Sequence, residues 1–227
     1  MPNNLNKLSK LPKPFFLFSK NVSLVQLQQH NFYSSQQNQN ANPQTKRELT
    51  AQEKSLIDRM IRVDQAGETA AVWIYRGQKA ILGKDPKLSK LLDDMKDQEK
   101  VHLDSFNKKI VEFNARPTIF QPVAAAGGFA LGAVTALLGV KAAMTCTEAV
   151  ETAIGMHYNN QLRELYKSQD SEQIQTLMKD IKLFRDQELE HLDTAVENGA
   201  KDAPFYNTLS SLIKSGCNTA IWLCEKY

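Results

Sequence analysis

Two octets of the chain carry the same chemically useful residues. Asp97–Asp104 reads DQEKVHLD and Asp186–Asp193 reads DQELEHLD, identical at six of eight positions and 89 residues apart. Each contains Glu-x-x-His. Residues three apart share a helix face, so Glu99 with His102, and Glu188 with His191, can each offer a carboxylate oxygen and an imidazole nitrogen to one metal ion. The echo extends upstream. Ala66–Ala71 (AGETAA) resembles Ala149–Ile154 (AVETAI) at an offset of 83, and the same offset pairs Tyr75 with Tyr158 and Gln78 with Gln161. Each half therefore reads as a helix bearing one Glu, then a helix bearing Glu-x-x-His. Glu68, Glu99, His102, Glu151, Glu188 and His191 are the set that a carboxylate-bridged dimetal site in a four-helix bundle requires. Four carboxylates and two imidazoles offset most of the charge of two divalent cations. They suit iron or manganese better than the sulfur-rich sites in which zinc plays a structural part.

One Glu-x-x-His on a helix usually belongs to a solvated surface. The doubled motif, with a Glu at the matching place in each preceding helix, argues against that. Four inward carboxylates without a cation would be costly to bury. Glu148 lies close to the face of Glu151, but the offset of 83 maps it to Gln65, so Glu151 is the better ligand. Asp64 could orient a ligand histidine or sit on the surface. Tyr75 and Tyr158, two turns beyond Glu68 and Glu151, either line the cavity or pack. His157 has no ligand spacing and reads as a residue near the site or in the core.

Helices must position these residues, and the sequence punctuates them. Thr50–Glu53 (TAQE) is a capping box opening a helix that should run to about Gly83. Asp85 and Pro86 form an N-cap and first helical residue for a second helix to about Asn114. A third core helix is expected over Val140–Ser168 and a fourth over Ser171–Asn198. A last helix should run from Pro204 through Leu223. The repeat thus covers about 50–114 and 140–198, and no convincing strand pattern appears.

Between the halves, Pro117–Val140 is 24 residues without a charge, long enough on its own to span a bilayer. A single crossing would place the two Glu-x-x-His motifs on opposite sides of the membrane and divide the site. The segment at 117–140 must instead enter and return, lie along the membrane interface, or bury itself against protein. Gly127–Gly128 offers a place to bend. Gly128 and Gly132 form a G-x-x-x-G suited to close helix contact.

Charge divides the chain of 227 residues into a tail and a body. Residues 1–47 hold six Lys and Arg and no Asp or Glu; the remaining 22 basic residues face 25 acidic ones in 48–227. The tail has the acid-poor bias of a mitochondrial transit peptide, although its cations are mostly Lys where such peptides favour Arg. The body has no basic surface of the kind nucleic acids need. Cys146, Cys217 and Cys224 lack metal spacing and form no disulfide framework, which suits a reducing compartment.

Thr50–Tyr227 resembles the demethoxyubiquinone hydroxylase family of ubiquinone biosynthesis, a membrane-associated branch of the ferritin-like di-iron proteins. The matching stretches are RVDQAGE (Arg62–Glu68), DQEKVHL, RPT (Arg116–Thr118), GFALGAVTALLG (Gly128–Gly139), AVE (Ala149–Glu151), HYNNQLR (His157–Arg163) and FRDQELEH (Phe184–His191). Thr69-Ala70-Ala71 departs mildly from the family's pattern after the first Glu. The resemblance implies an all-α, ferritin-like four-helix bundle with an apolar membrane-associating crossover and an additional C-terminal helix. It implies two iron ions per chain held by Glu68, Glu99, His102, Glu151, Glu188 and His191, with His157 and Tyr158 beside them. The activity implied is oxygen-dependent hydroxylation of a polyprenyl demethoxyubiquinol. Electrons would come from NADH without a dinucleotide-binding fold. The expected setting is the matrix side of the mitochondrial inner membrane, with a lipid-binding accessory protein as partner. The competing readings are ferritin-like iron storage and a structural membrane protein with a vestigial site.

Overall fold

The structure, a computed structural model, describes residues 47–227; the expected targeting tail lies outside them apart from Arg47. The described residues form six α-helices joined by short turns, with no strand among them. They are α1 (Ala51–Leu82), α2 (Pro86–Glu112), α3 (Gln121–Leu137), α4 (Val140–Leu165), α5 (Glu172–Glu197) and α6 (Tyr206–Lys226).

The helix ends follow the local chemistry. The Thr50 hydroxyl accepts from the Glu53 backbone N–H while the Glu53 carboxylate accepts from the Thr50 N–H, so the capping box is complete. Arg47 closes on Glu53 and Asp170, tying the start of α1 to the turn before α5. Asp85 caps α2 with Pro86 behind it. The last expected helix is displaced at both ends. Phe205 adopts a left-handed φ of 57°, so α6 begins at Tyr206 and not at Pro204. It continues past Leu223 because buried Arg62 donates to the Cys224 and Glu225 carbonyls, which the helix end leaves free.

Four helices make the bundle, and two apolar layers fix their directions. In one layer Ile57 and Ile61 of α1 meet Phe106 of α2, Tyr158 and Leu165 of α4, and Ile174, Ile181 and Phe184 of α5. In the other, Tyr75 meets Leu92, Met95, Met144 and Ala195. The start of α1 thus lies with the end of α2, the end of α4 and the start of α5. Each half is an antiparallel pair, and the halves run opposite to each other. Each fully buried Leu, Ile or Phe contributes roughly 1.5–3 kcal/mol, so these layers hold the bundle whatever lies between them.

That topology explains the crossover. Chain leaving α2 at one end of the bundle must begin α4 at the other, and α3 covers the distance. It is one unbroken helix of 17 residues, so the expected bend at Gly127–Gly128 does not occur. No helix among the described residues is long and apolar enough to cross a membrane. Helix α3 runs parallel to α1 with the two backbones nearly touching. A Cβ at Gly128 would sit 2.5 Å from the Ala70 carbonyl oxygen and one at Gly132 2.9 Å from the Ile74 Cα; one at Gly77 would meet the Ala133 nitrogen at 2.8 Å. The G-x-x-x-G is therefore used inside the chain. Gly132→Ala is expected to lower the unfolding free energy by about 1–3 kcal/mol through overpacking. Gly127→Ala, with open space around it, should raise it by about 0.5–1 kcal/mol. Chemical denaturation of the two variants checks the opposite signs.

The face of α3 turned away from α1 stays open. Val123, Val134, Leu137 and Leu138 are 56–69% exposed. Helix α6 lies along α4 and α1. Its Ile213 joins Ile74, Cys146 and Val150, and its Cys224 joins Val63 and Ala66. All three cysteines are free thiols, and burial pushes Cys146 up to about 12 and Cys217 up to about 11.

Candidate metal centre

Between the two apolar layers, all four bundle helices turn polar residues inward. Glu68 comes from α1, Glu99 and His102 from α2, Glu151 from α4, and Glu188 and His191 from α5; none is more than 3% exposed. The six residues named from the sequence meet in two overlapping groups. One is Glu68, Glu99, His102 and Glu188; the other is Glu99, Glu151, Glu188 and His191. Within each group one ligand-type atom per residue lies within 4.8 Å of the others. Glu99 and Glu188 belong to both.

The atoms face a common space. His102 Nδ1 is 3.0 Å from Glu188 Oε1 and 3.5 Å from both Glu68 Oε2 and Glu99 Oε2. His191 Nδ1 is 2.9 Å from Glu99 Oε1 and 3.3 Å from Glu188 Oε2. Yet both Nδ1 atoms, both oxygens of Glu99 and Glu188, and one oxygen each of Glu68 and Glu151 make no hydrogen bond. Buried polar atoms are nearly always paired, and eight orphans in one cluster are costly unless a cation completes them. Four carboxylates and two imidazoles form a hard, oxygen-rich donor set that fits two divalent ions such as iron or manganese.

Burial pushes Glu68 and Glu151 well above the usual carboxylate range, and neighbouring carboxylates add to the shift. Burial would also raise Glu99, but the His191 and His102 imidazoles hold it below that range. Burial opposes charging His102 and His191, but the surrounding carboxylates outweigh it and raise both.

A second ring of side chains holds the cluster. Tyr75 donates to Glu151 Oε1 at 3.0 Å, and Tyr158 donates to Glu68 Oε1. Both tyrosines border the site with their hydroxyls and pack in the apolar layers with their rings, so their two sequence readings hold together. His102 Nε2 lies 2.7 Å from Gln187 Oε1, and His191 Nε2 lies 3.0 Å from Gln98 Oε1. Sequence reasoning passed over these glutamines although both stand inside the doubled octet. The repeat itself was the signal, because it preserves the Gln with the Glu and His.

Other candidates fall elsewhere. Asp64 orients no ligand histidine: it accepts from Gln161 at 2.7 Å and lies 3.3 Å from His157 Nε2. Burial raises its pKa. His157 stands at the wall of a cleft of about 270 Å³ between α1, α4 and α6, lined also by Met60, Met156, Gln161 and Ile221. Glu148 points away from the cluster, to Ser210 and Lys214 of α6 at 3.1 and 3.3 Å. It fastens that helix.

Residues 55–224 match a family model described as ubiquinone biosynthesis protein COQ7. A rat protein named NADPH-dependent 3-demethoxyubiquinone 3-hydroxylase, mitochondrial, is 49% identical over 174 residues, covering 77% of this chain and 79% of the relative. A Rhodospirillum rubrum protein named 3-demethoxyubiquinol 3-hydroxylase is 48% identical over 172 residues, covering 76% and 79%. A yeast protein named 5-demethoxyubiquinone hydroxylase, mitochondrial, is 43% identical over 189 residues, covering 78% and 81%.

Proposed function

The chain belongs to the COQ7 family of ubiquinone biosynthesis proteins, and we propose that it hydroxylates the ring of a polyprenyl demethoxyubiquinol at a di-iron centre in mitochondria. The observation that carries this reading is the cluster of eight buried ligand atoms in the middle of the bundle that make no hydrogen bond. Glu68, Glu99, His102 and Glu188 would hold one ion, and Glu99, Glu151, Glu188 and His191 the other. A ferrous pair held there would supply what no side chain can, the activation of dioxygen for attack on the ring. One oxygen atom enters the quinol as hydroxyl. The other would leave as water, with two electrons and one proton from the hydride of a reduced nicotinamide nucleotide and the second proton from solvent. The rat relative's name specifies NADPH where the sequence resemblance pointed to NADH, and no Gly-rich dinucleotide fold stands among the described helices.

The chain's own residues do the preparatory work. Tyr75 and Tyr158 orient Glu151 and Glu68 through their hydroxyls. The apolar layers on either side keep water from the reacting centre. The exposed face of α3 would rest on the membrane that holds the prenyl tail, on the matrix side of the inner membrane, where the lipid-binding accessory protein is also expected. Iron storage fits less well, because an open apolar α3 face would hinder a closed soluble shell.

Anaerobic titration of the metal-free protein with ferrous iron tests the reading. Two irons per chain are expected, with a rise in thermal midpoint, because an ion bound only by the folded state stabilises it. With dioxygen, a demethoxyubiquinol and either NADH or NADPH, the loaded protein should form the hydroxylated ring. One tightly held zinc, or two irons without hydroxylated product, would refute it.

A further inference from the structure

The supporting hydrogen bonds follow a rule across the repeat. Gln98 stands beside Glu99 in the first octet, yet it serves His191 of the second. Gln187 stands beside Glu188 in the second octet, yet it serves His102 of the first. The tyrosines cross in the same way. Tyr75 of the first half holds Glu151 of the second, and Tyr158 of the second half holds Glu68 of the first. In each of these four bonds the second-ring residue reaches out of its own half.

We propose that Gln98 and Gln187 are positioning residues that each fix the histidine of the opposite Glu-x-x-His motif, with Nδ1 turned to the metal. The inference rests on the di-iron reading and adds which residues make each half-site depend on the other half of the chain. The chemistry favours an amide here. A glutamine oxygen facing Nε2 requires a proton on that nitrogen, which leaves the Nδ1 lone pair for a cation. The other amide orientation would put N–H against Nε2 and move the ring proton to Nδ1, where it would block a ligand. An amide also adds no charge to a site in which four carboxylates already balance two divalent ions. The burial of Gln187, at 4% exposure, would make an extra carboxylate there expensive in the metal-free state. The Asp-Gln-Glu of each octet is thus a ligand preceded by the brace of its counterpart.

Gln98→Met and Gln187→Met keep the side-chain length and remove the acceptor. Manganese(II) binding to the otherwise intact chain, followed by electron paramagnetic resonance, reads occupancy and coupling of the two sites. To assign the sites, each variant is combined with His102→Ala or His191→Ala, which leaves mainly one half-site. In the His102→Ala chain, Gln98→Met should weaken the remaining ion about 10–100-fold, the usual effect of losing a partner behind a ligand histidine, and Gln187→Met should leave it nearly unchanged. In the His191→Ala chain the order reverses. Gln98→Glu and Gln187→Glu, which keep an acceptor oxygen, should retain the coupled two-ion signal. Circular dichroism and the metal-free thermal midpoint establish that each variant is folded. A folded Gln98→Met that weakens the His102 half-site overturns the crossing, as do equal losses at both half-sites or no loss at either. A parent chain that holds fewer than two manganese ions overturns the metal reading itself.

Discussion

Glu99→Ala and Glu188→Ala should each abolish quinol hydroxylation and leave the chain unable to hold a metal pair, whereas Glu68→Ala or Glu151→Ala should forfeit chiefly one ion. The grading follows from membership: Glu99 and Glu188 belong to both ligand groups, Glu68 and Glu151 to one each. With a shared carboxylate gone, both half-sites lose a donor and the repulsion between two divalent ions is less screened. Metal-free stability should separate the same residues differently. Glu99 is held ionised beside two imidazoles, so Glu99→Gln should lower the thermal midpoint of the metal-free protein at neutral pH. Burial already disfavours the charge on Glu151, so Glu151→Gln, which keeps an acceptor for Tyr75, should leave that midpoint level or raise it. Iron stoichiometry and turnover of the four Ala variants, and thermal scans of the two Gln variants, check both orders. Two tightly bound irons in Glu99→Ala would remove that residue from the centre.

The fold was readable wherever its cause was local. Thr50 with Glu53, and Asp85 with Pro86, mark helix starts by capping chemistry. The six inward residues could be named because a helix turns spacing into a shared face, and because the chain states the arrangement twice. Features set by distant parts of the chain were not readable. Nothing near Pro204 announces that Phe205 will turn left-handed, and nothing near Leu223 announces that Arg62, 162 residues before Cys224, will cap that end of α6. The unbroken path of α3 follows from the opposed directions of the two halves, a property of the packed bundle. Its double glycine looked like a bend and proved to be where Gly128 meets α1. Asp64 was misjudged for the same reason. Its face on α1 was clear, but its partners His157 and Gln161 arrive from α4. The roles of Gln98 and Gln187 also depend on a neighbour across the bundle, which spacing within one helix cannot reveal.

Placing two charges on the outer face of α3 should detach the protein from lipid without emptying its metal site. The residues must be chosen from the structure. Ala136 is buried at 2% exposure and a charge there would disrupt packing, whereas Ala130 is exposed and Leu137 is 69% exposed. Ala130→Asp with Leu137→Lys therefore changes the open face and leaves the contact with α1 alone. Apolar residues at Val123, Val134, Leu137 and Leu138 would enter the hydrocarbon edge of a membrane. Each introduced charge held there costs about 2 kcal/mol or more, so the pair should reduce partition onto phospholipid vesicles by over a hundredfold, as 1.4 kcal/mol is a factor of ten. Val111→Asp, at an 81% exposed position on α2, is the control and should change partition little. Iron content should persist in the double variant, because the residues proposed to hold it lie on α1, α2, α4 and α5. Turnover should then split by substrate. A demethoxyubiquinol with a long prenyl tail, presented in vesicles, should be hydroxylated far more slowly, while a short-tailed soluble analogue should react at close to the original rate. That split is what delivery of the ring from a membrane along α3 requires. Equal losses on both substrates in a folded, iron-loaded, vesicle-bound protein would show that α3 serves the bundle alone. An unchanged rate on the long-tailed quinol after detachment would refute the membrane as the route by which substrate arrives.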